Sequence, residues 1–268
     1  MDRRDGQLPR MSDTVVTHRW TASDGVELAY HEVGAGRAVI LLHGLFSDAH
    51  MNWIKFGHAA RIAAAGFRVI MPDHRAHGQS GKPHDPAAYG PGVLARDVRE
   101  LVARLGLTDF DLGGFSLGAR TTVQAIGEGL RPRRAILGGM GLQGLADWKR
   151  RKTFFLEVID RFDTLQRGDP HWLAAQFMKS QGVDRAAARL LLDSFEDVFM
   201  DWLDKLTMPV LVVCGDKDAD NGSAAELVAR LPDARLAVVP GTHMSSVTEP
   251  DLGAAIVAFL TAAPESGA

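Results

Sequence analysis

Ser116, His243 and the aspartates Asp216 and Asp218 are side chains whose types and order could share one proton-transfer reaction. Serine is a poor nucleophile at neutral pH and needs a base that takes its proton as it attacks. An imidazole, with a pKa near ~6.5, can do this and then return the proton to a leaving group. A carboxylate must hold the ring in the right tautomer and balance the imidazolium. Loss of the equivalent acid in a serine protease lowers turnover by about 10⁴. The order serine, acid, histidine is one in which such a trio is built. These residues predict acyl transfer through Ser116, with His243 as general base and acid.

The serine lies in Gly114-Phe115-Ser116-Leu117-Gly118, between a short apolar run that begins at Phe110 and a helix-like stretch from Ala119. So tight a strand-to-helix turn strains its central residue and needs small residues two positions to either side. The hydroxyl then stands clear of the sheet at a helix N-terminus, where free N–H groups can face a developing anion. The run Ala38-Val39-Ile40-Leu41-Leu42 reads as buried strand and stops at His43-Gly44-Leu45-Phe46. Gly44 lets that backbone approach a ligand, so the N–H groups of Leu45 and Leu117 are the candidate oxyanion hole. One such donor is typically worth about 3 kcal/mol. None of this chemistry calls for a metal or a cofactor.

Elements of a particular kind must hold these residues. Pro209–Cys214 reads as a strand that ends in Gly215-Asp216-Lys217-Asp218, and Arg235–Val239 as one that ends in Pro240-Gly241-Thr242-His243. Open α/β sheets place their sites on this carboxyl edge. Thr14 to Trp20 and Val26 to Val33, parted by Ser23-Asp24-Gly25, read as an opening hairpin. Strands at Ala38–Leu42, Phe67–Met71, Phe110–Leu112 and Ala135–Leu137 then alternate with helices around Trp53–Ala65, Val93–Leu105 and after Ser116. A final helix is expected from Asp251 to Leu260. The alternation predicts an α/β protein with a doubly wound, mostly parallel sheet. It breaks after Gly141. From Trp148 to Trp202 there is no strand pattern, yet nine of the nineteen aromatics fall there. Residues 143–206 therefore read as a helical cap inserted into a core formed by 14–142 and 207–268. Residues 1–13 read as a polar, disordered leader, with Met11 an alternative start.

Composition narrows the class further. A chain of 268 residues with 46% hydrophobic content and a mean hydropathy of -0.05 suits a soluble protein with a sizeable core. A formal net charge of -3 gives no basis for nucleic acid or an anionic membrane as partner. The single Cys214 excludes an internal disulfide and reads as a small buried hydrophobe. No run of about 18 consecutive apolar residues is present, and the first ten residues lack the apolar segment of a secretory signal. The expected location is cytoplasmic and the expected partner a small molecule.

Several features have plainer readings. His43, beside the glycine of the oxyanion loop, is expected to hold that loop, and His74 and His77 to order the loop that follows Phe67–Met71. A zinc site of Asp73, His74 and His77 lacks any companion ligand signal. His50, His58, His84 and His171 read as surface or helix-face residues. Lys149-Arg150-Arg151-Lys152 could grip a phosphate handle but reads more simply as a solvated helix face. Phe154, Phe155, Trp172, Phe177, Phe195, Phe199 and Trp202 must mostly pack the cap, with a minority lining space over Ser116.

The chain resembles the α/β-hydrolase-fold family from about Val15 to about Leu260. The resemblance is carried by His43-Gly44, Asp73-His74-Arg75-Ala76-His77-Gly78-Gln79-Ser80, the turn at Ser116, Gly215-Asp216-Lys217-Asp218 and Gly241-Thr242-His243. His43-Gly44-Leu45-Phe46 with Asn52-Trp53 is similar to small bacterial carboxylesterases of the family. Ala76 departs from the glycine usual there. The resemblance implies hydrolysis of a carboxylic ester and assigns the orienting acid to Asp218, the second of Gly-Asp-x-Asp. Asp216 is then expected to serve its own turn. Lactone opening, thioester hydrolysis, carbon–carbon cleavage and cofactor-free perhydrolysis share the trio. Serine at position 116 disfavours the dehalogenase and epoxide hydrolase branches, which carry Asp there. A non-enzymatic ligand receptor on the same fold is the alternative of another class.

Overall fold

Strands β1 (Val16–Thr21), β2 (Glu27–Gly34), β3 (Arg37–Leu42), β4 (Phe67–Pro72), β5 (Phe110–Phe115), β6 (Ala135–Gly138), β7 (Val210–Gly215) and β8 (Ala234–Val239) join in one sheet, ordered β1-β2-β4-β3-β5-β6-β7-β8. The computed structural model describes residues 14–263, so the expected leader lies outside the described residues. β2 pairs antiparallel with both β1 and β4, and every pairing from β4 to β8 is parallel. The helices in chain order are α1 (His58–Ala64), α2 (Val93–Arg104), α3 (Leu117–Gly127), α4 (Leu142–Ala146), α5 (Trp148–Asp160), α6 (Trp172–Ser180), α7 (Arg185–Asp193), α8 (Ala224–Arg230) and α9 (Pro250–Thr261).

A parallel strand must bury both faces, and β3 shows how. Val39 and Leu41 point to one side and pack with Ile62 of α1 and Ile256 of α9. Ile40 and Leu42 point to the other and pack with Val98 of α2, Val123 of α3 and Leu227 of α8. Two hydrophobic layers therefore clamp the sheet, and the strands are held in register by apolar contact on both sides.

The helix expected from Trp53 starts only at His58, because Gly57 takes a left-handed φ of 79° and separates α1 from a single π-helical turn at His50–Ile54. α8 was not anticipated, although its signal is in the sequence. Ser223 accepts the Glu226 N–H (3.1 Å), a serine cap with an acid three residues on.

Between β6 and β7 the chain forms α4 to α7 and no strand. Asp184 caps α7 by accepting the Ala187 N–H (3.0 Å). Val158, Ala175, Met178, Ala188 and Leu192 of these helices gather with Trp148 around Phe46, which follows β3. That contact seats the insertion on the carboxyl edge of the sheet. No helix among the described residues is long and apolar enough to cross a membrane.

Candidate active site

Ser116 bridges β5 and α3 with φ 53° and ψ -110°, a conformation that costs a non-glycine residue on the order of 1–3 kcal/mol. The flanking glycines make the turn possible. A Cβ on Gly114 would stand 2.5 Å from the Gly118 carbonyl carbon, and one on Gly118 would stand 2.2 Å from Leu42 O. The Ser116 N–H donates to Gly138 O (2.8 Å), which fixes the turn to β6.

His243 sits on the loop after β8, with its Nε2 3.0 Å from Ser116 Oγ. Its Nδ1 donates to Asp218 Oδ2 (2.9 Å), on the loop after β7. This leaves Nε2 as the acceptor for the serine proton. The side chains of His243 and Asp218 are both buried, and Phe115 packs on the imidazole at 5.0 Å between ring centroids. Asp216 does not touch His243. Its Oδ1 accepts the Gly241 N–H (2.7 Å), so it ties the loop after β7 to the loop that carries His243. Its partner therefore lies 25 residues away, not within its own turn as the sequence reading expects.

Leu45 N–H and Leu117 N–H have no hydrogen-bond partner among the described residues. The loop bearing Leu45 is held on every side. Asn52 Oδ1 accepts the Gly44 N–H (2.8 Å), and His77 Nε2 accepts the Phe46 N–H (3.0 Å) while its Nδ1 donates to Arg75 O (3.0 Å). His43 donates from Nδ1 to Gly44 O (2.8 Å) and accepts the His74 N–H at Nε2 (2.9 Å). Both rings need a neutral tautomer, and burial supplies it: the His77 pKa falls to about 3 and that of His43 is lowered. Asn52 is part of the motif named from the sequence, but its contact with the Gly44 N–H, eight residues back, is not legible there.

Asp73 anchors the second loop. Burial alone would raise its pKa, but donation from His31 Nε2 (3.1 Å), Ala49 N–H (2.9 Å) and Gln79 N–H (2.7 Å) holds it at about 2. With its oxygens so engaged, Asp73 serves the loop. Arg75, fully buried, forms a two-pronged pair with Asp97 on α2 (2.7 Å each) and also reaches Asp24 in the hairpin turn (2.9 Å). Among the described residues, positive φ outside glycine occurs only at Phe46, Ala76 and Ser116, all on the loops around the site. Ala76 (φ 69°) thus takes a glycine-like backbone where the resembling family has glycine. His58, read as a helix-face residue, is buried and bonds the Val247 carbonyl through Nε2 (2.7 Å).

Over Ser116 and His243 opens a cavity of about 840 Å³. Of the insertion's aromatics, Phe154, Phe155 and Phe177 line it. Phe195 instead packs on Trp148, and the exposed Phe199 on Trp202. The basic run divides too: Lys149 is exposed, Lys152 bonds Asp193 O (3.0 Å), and Arg150 and Arg151 line the cavity.

Residues 37–134 match a family described as alpha/beta hydrolase fold. The chain is 27% identical to a non-heme haloperoxidase of Rhodococcus erythropolis, over 90% of this chain and 98% of that one. It is 25% identical to a putative non-heme chloroperoxidase of Synechocystis, over 81% and 87%. A solved hydrolase from Pseudomonas aeruginosa superposes with a TM-score of 0.72 at 24% identity, over 92% of this chain and 98% of that one. These likenesses support a hydrolase.

Proposed function

We propose that the chain, which matches the α/β-hydrolase-fold family over residues 37–134 and shares that fold, cleaves a small to medium carboxylic ester through an acyl-enzyme. Ser116 Oγ attacks the ester carbonyl as its proton passes to His243 Nε2. The carbonyl oxygen, now an anion, takes the N–H groups of Leu45 and Leu117. The tetrahedral centre collapses, the C–O bond to the leaving group breaks, and His243 gives its proton to the departing oxygen. Water then attacks the acyl-serine with His243 again as base, releasing the acid and free Ser116. Asp218 keeps Nδ1 protonated throughout. The observation that carries the reading is the continuous chain from Ser116 Oγ to His243 (3.0 Å) to Asp218 (2.9 Å) at the floor of a ligand-sized cavity.

Ser116→Ala should abolish both 4-nitrophenyl ester turnover and labelling by a fluorophosphonate probe while the far-UV circular dichroism stays unchanged. Undiminished labelling would move the nucleophile elsewhere, and failure of the unaltered protein to react at all would favour a receptor. Perhydrolysis is a second reading, favoured by the haloperoxidase names of two relatives that match over most of their length. Here hydrogen peroxide replaces water at the acyl-serine and releases a peracid. Peracid formation from an ester and peroxide, compared with plain hydrolysis, separates the two.

A further inference from the structure

Within the ester-hydrolase reading, on which this step rests, we propose that the cavity takes an ester carrying a second, ionised carboxylate, and that Arg151 grips it. Arg151 lies on α5 and is half-buried at the wall of the cavity over Ser116. Its guanidinium carries five N–H donors in a planar fork. Among the described residues it makes one hydrogen bond, from Nη1 to Asp220 O (2.7 Å), and stands 5.5 Å from the centre of the Phe155 ring. No carboxylate pairs with it, although burial disfavours its charge and lowers its pKa. Other buried arginines are used up by the fold. Arg75 is paired with Asp97, and Arg120 is spent on the carbonyls of Gly144, Leu145 and Glu196. Of these three, Arg151 lines the cavity over Ser116, whereas Arg120 lines a separate, smaller void of about 230 Å³.

The surroundings select what it can hold. Phe154, Phe155, Leu173 and Phe177 offer an anion no competing donor. Asp218 and Asp220 act on the guanidinium through space, and so does Arg150, which also lines the cavity. Two acids offset the two cations, leaving no surplus positive charge for a dianion such as a phosphate monoester, whereas a single carboxylate meets half that repulsion. A bidentate guanidinium–carboxylate pair fits both the charge and the fork. Through Asp220, two residues beyond Asp218, the arginine is tied to the loop that orients His243. A carboxylate held there positions the scissile bond relative to the imidazole.

The test compares two matched pairs of esters. Mono-(4-nitrophenyl) glutarate against 4-nitrophenyl pentanoate places the charge in the acyl half; 4-carboxyphenyl butyrate against 4-carbamoylphenyl butyrate places it in the leaving group. The protein should favour the anion in at least one pair by about tenfold or more in kcat/KM, the scale of a charge-assisted hydrogen bond. Arg151→Met should bring that ratio close to one, and Arg151→Lys should keep part of it. A ratio equal in the unaltered protein and Arg151→Met, in both pairs, overturns the proposal and leaves ester hydrolysis standing. Absence of turnover for all four esters, with Ser116 unlabelled by a fluorophosphonate, would instead overturn the ester reading and this proposal with it.

Discussion

The loops at the carboxyl edge of the sheet and the helical insertion above them are held by different forces. Around Ser116, buried polar groups do the holding: Asp73 takes three donors, Arg75 clasps Asp97, and the rings of His43 and His77 pin backbone N–H groups. The insertion relies on apolar packing among α5, α6 and α7, and its ion pairs lie largely in water, as Arg185–Asp163 and Arg189–Asp160 do. Buried charge-assisted bonds are directional and costly to break, whereas solvated pairs contribute little. Geometry that must not drift is thus built from the first kind, and walls that decide what enters are built from the second.

The largest effect that could break this contrast is catalytic. Asp218→Asn should lower kcat for a 4-nitrophenyl ester by orders of magnitude, towards about 10⁴. Asp216→Asn should cost on the order of 1 kcal/mol of stability through the Gly241 N–H it accepts. Reversed kinetics in the two purified variants would reassign the acid.

Next in size is the buried cation. Arg75→Met leaves the buried Asp97 with only the partly exposed Arg96, 3.8 Å away, so urea denaturation should show a loss of up to about 3–5 kcal/mol. A loss below that of an exposed pair would remove the distinction between the two regions. Arg75→Met combined with Asp97→Leu should recover part of the deficit, since no uncompensated charge remains.

Acid tests the same loops more gently. Asp73 has a folded pKa of about 2 against an ordinary 3.8, a depressed value, so its contribution is present above about pH 4 and lost as pH falls towards 2. That contribution is about 2 kcal/mol. Asp73→Asn should flatten the fall in unfolding free energy across this window; an unchanged slope would show that the acid sensitivity arises elsewhere. The smallest effect belongs to the insertion. Arg189→Ala should shift stability by less than about 1 kcal/mol, and a larger loss in thermal melts would mean that surface pairs hold the insertion after all.

Continuous apolar runs and helical patterning made most elements readable, because strands buried on both faces show no alternation and their turns leave glycines. The Gly114 to Gly118 turn was legible for the same local reason: a strained serine between a strand and a helix admits only small flanking residues. α8 escaped because its seven residues carry too little periodicity, although Ser223 and Glu226 marked its start. The break at Gly57 escaped because nothing short of its left-handed backbone separates the turn before it from α1.

Sequence alone therefore determined the sheet class, the nucleophile candidate and the histidine, since each is fixed by neighbours within a few positions. Tertiary structure decided which aspartate meets the imidazole, 25 residues away in the chain. It also decided that Arg75 is paired while Arg151 faces a cavity, a difference no local pattern encodes. The physical reason is reach: backbone strain and periodicity act over one turn or one strand, but the partner of a buried charge is chosen by which distant segment the packed sheet brings within about 3 Å of it.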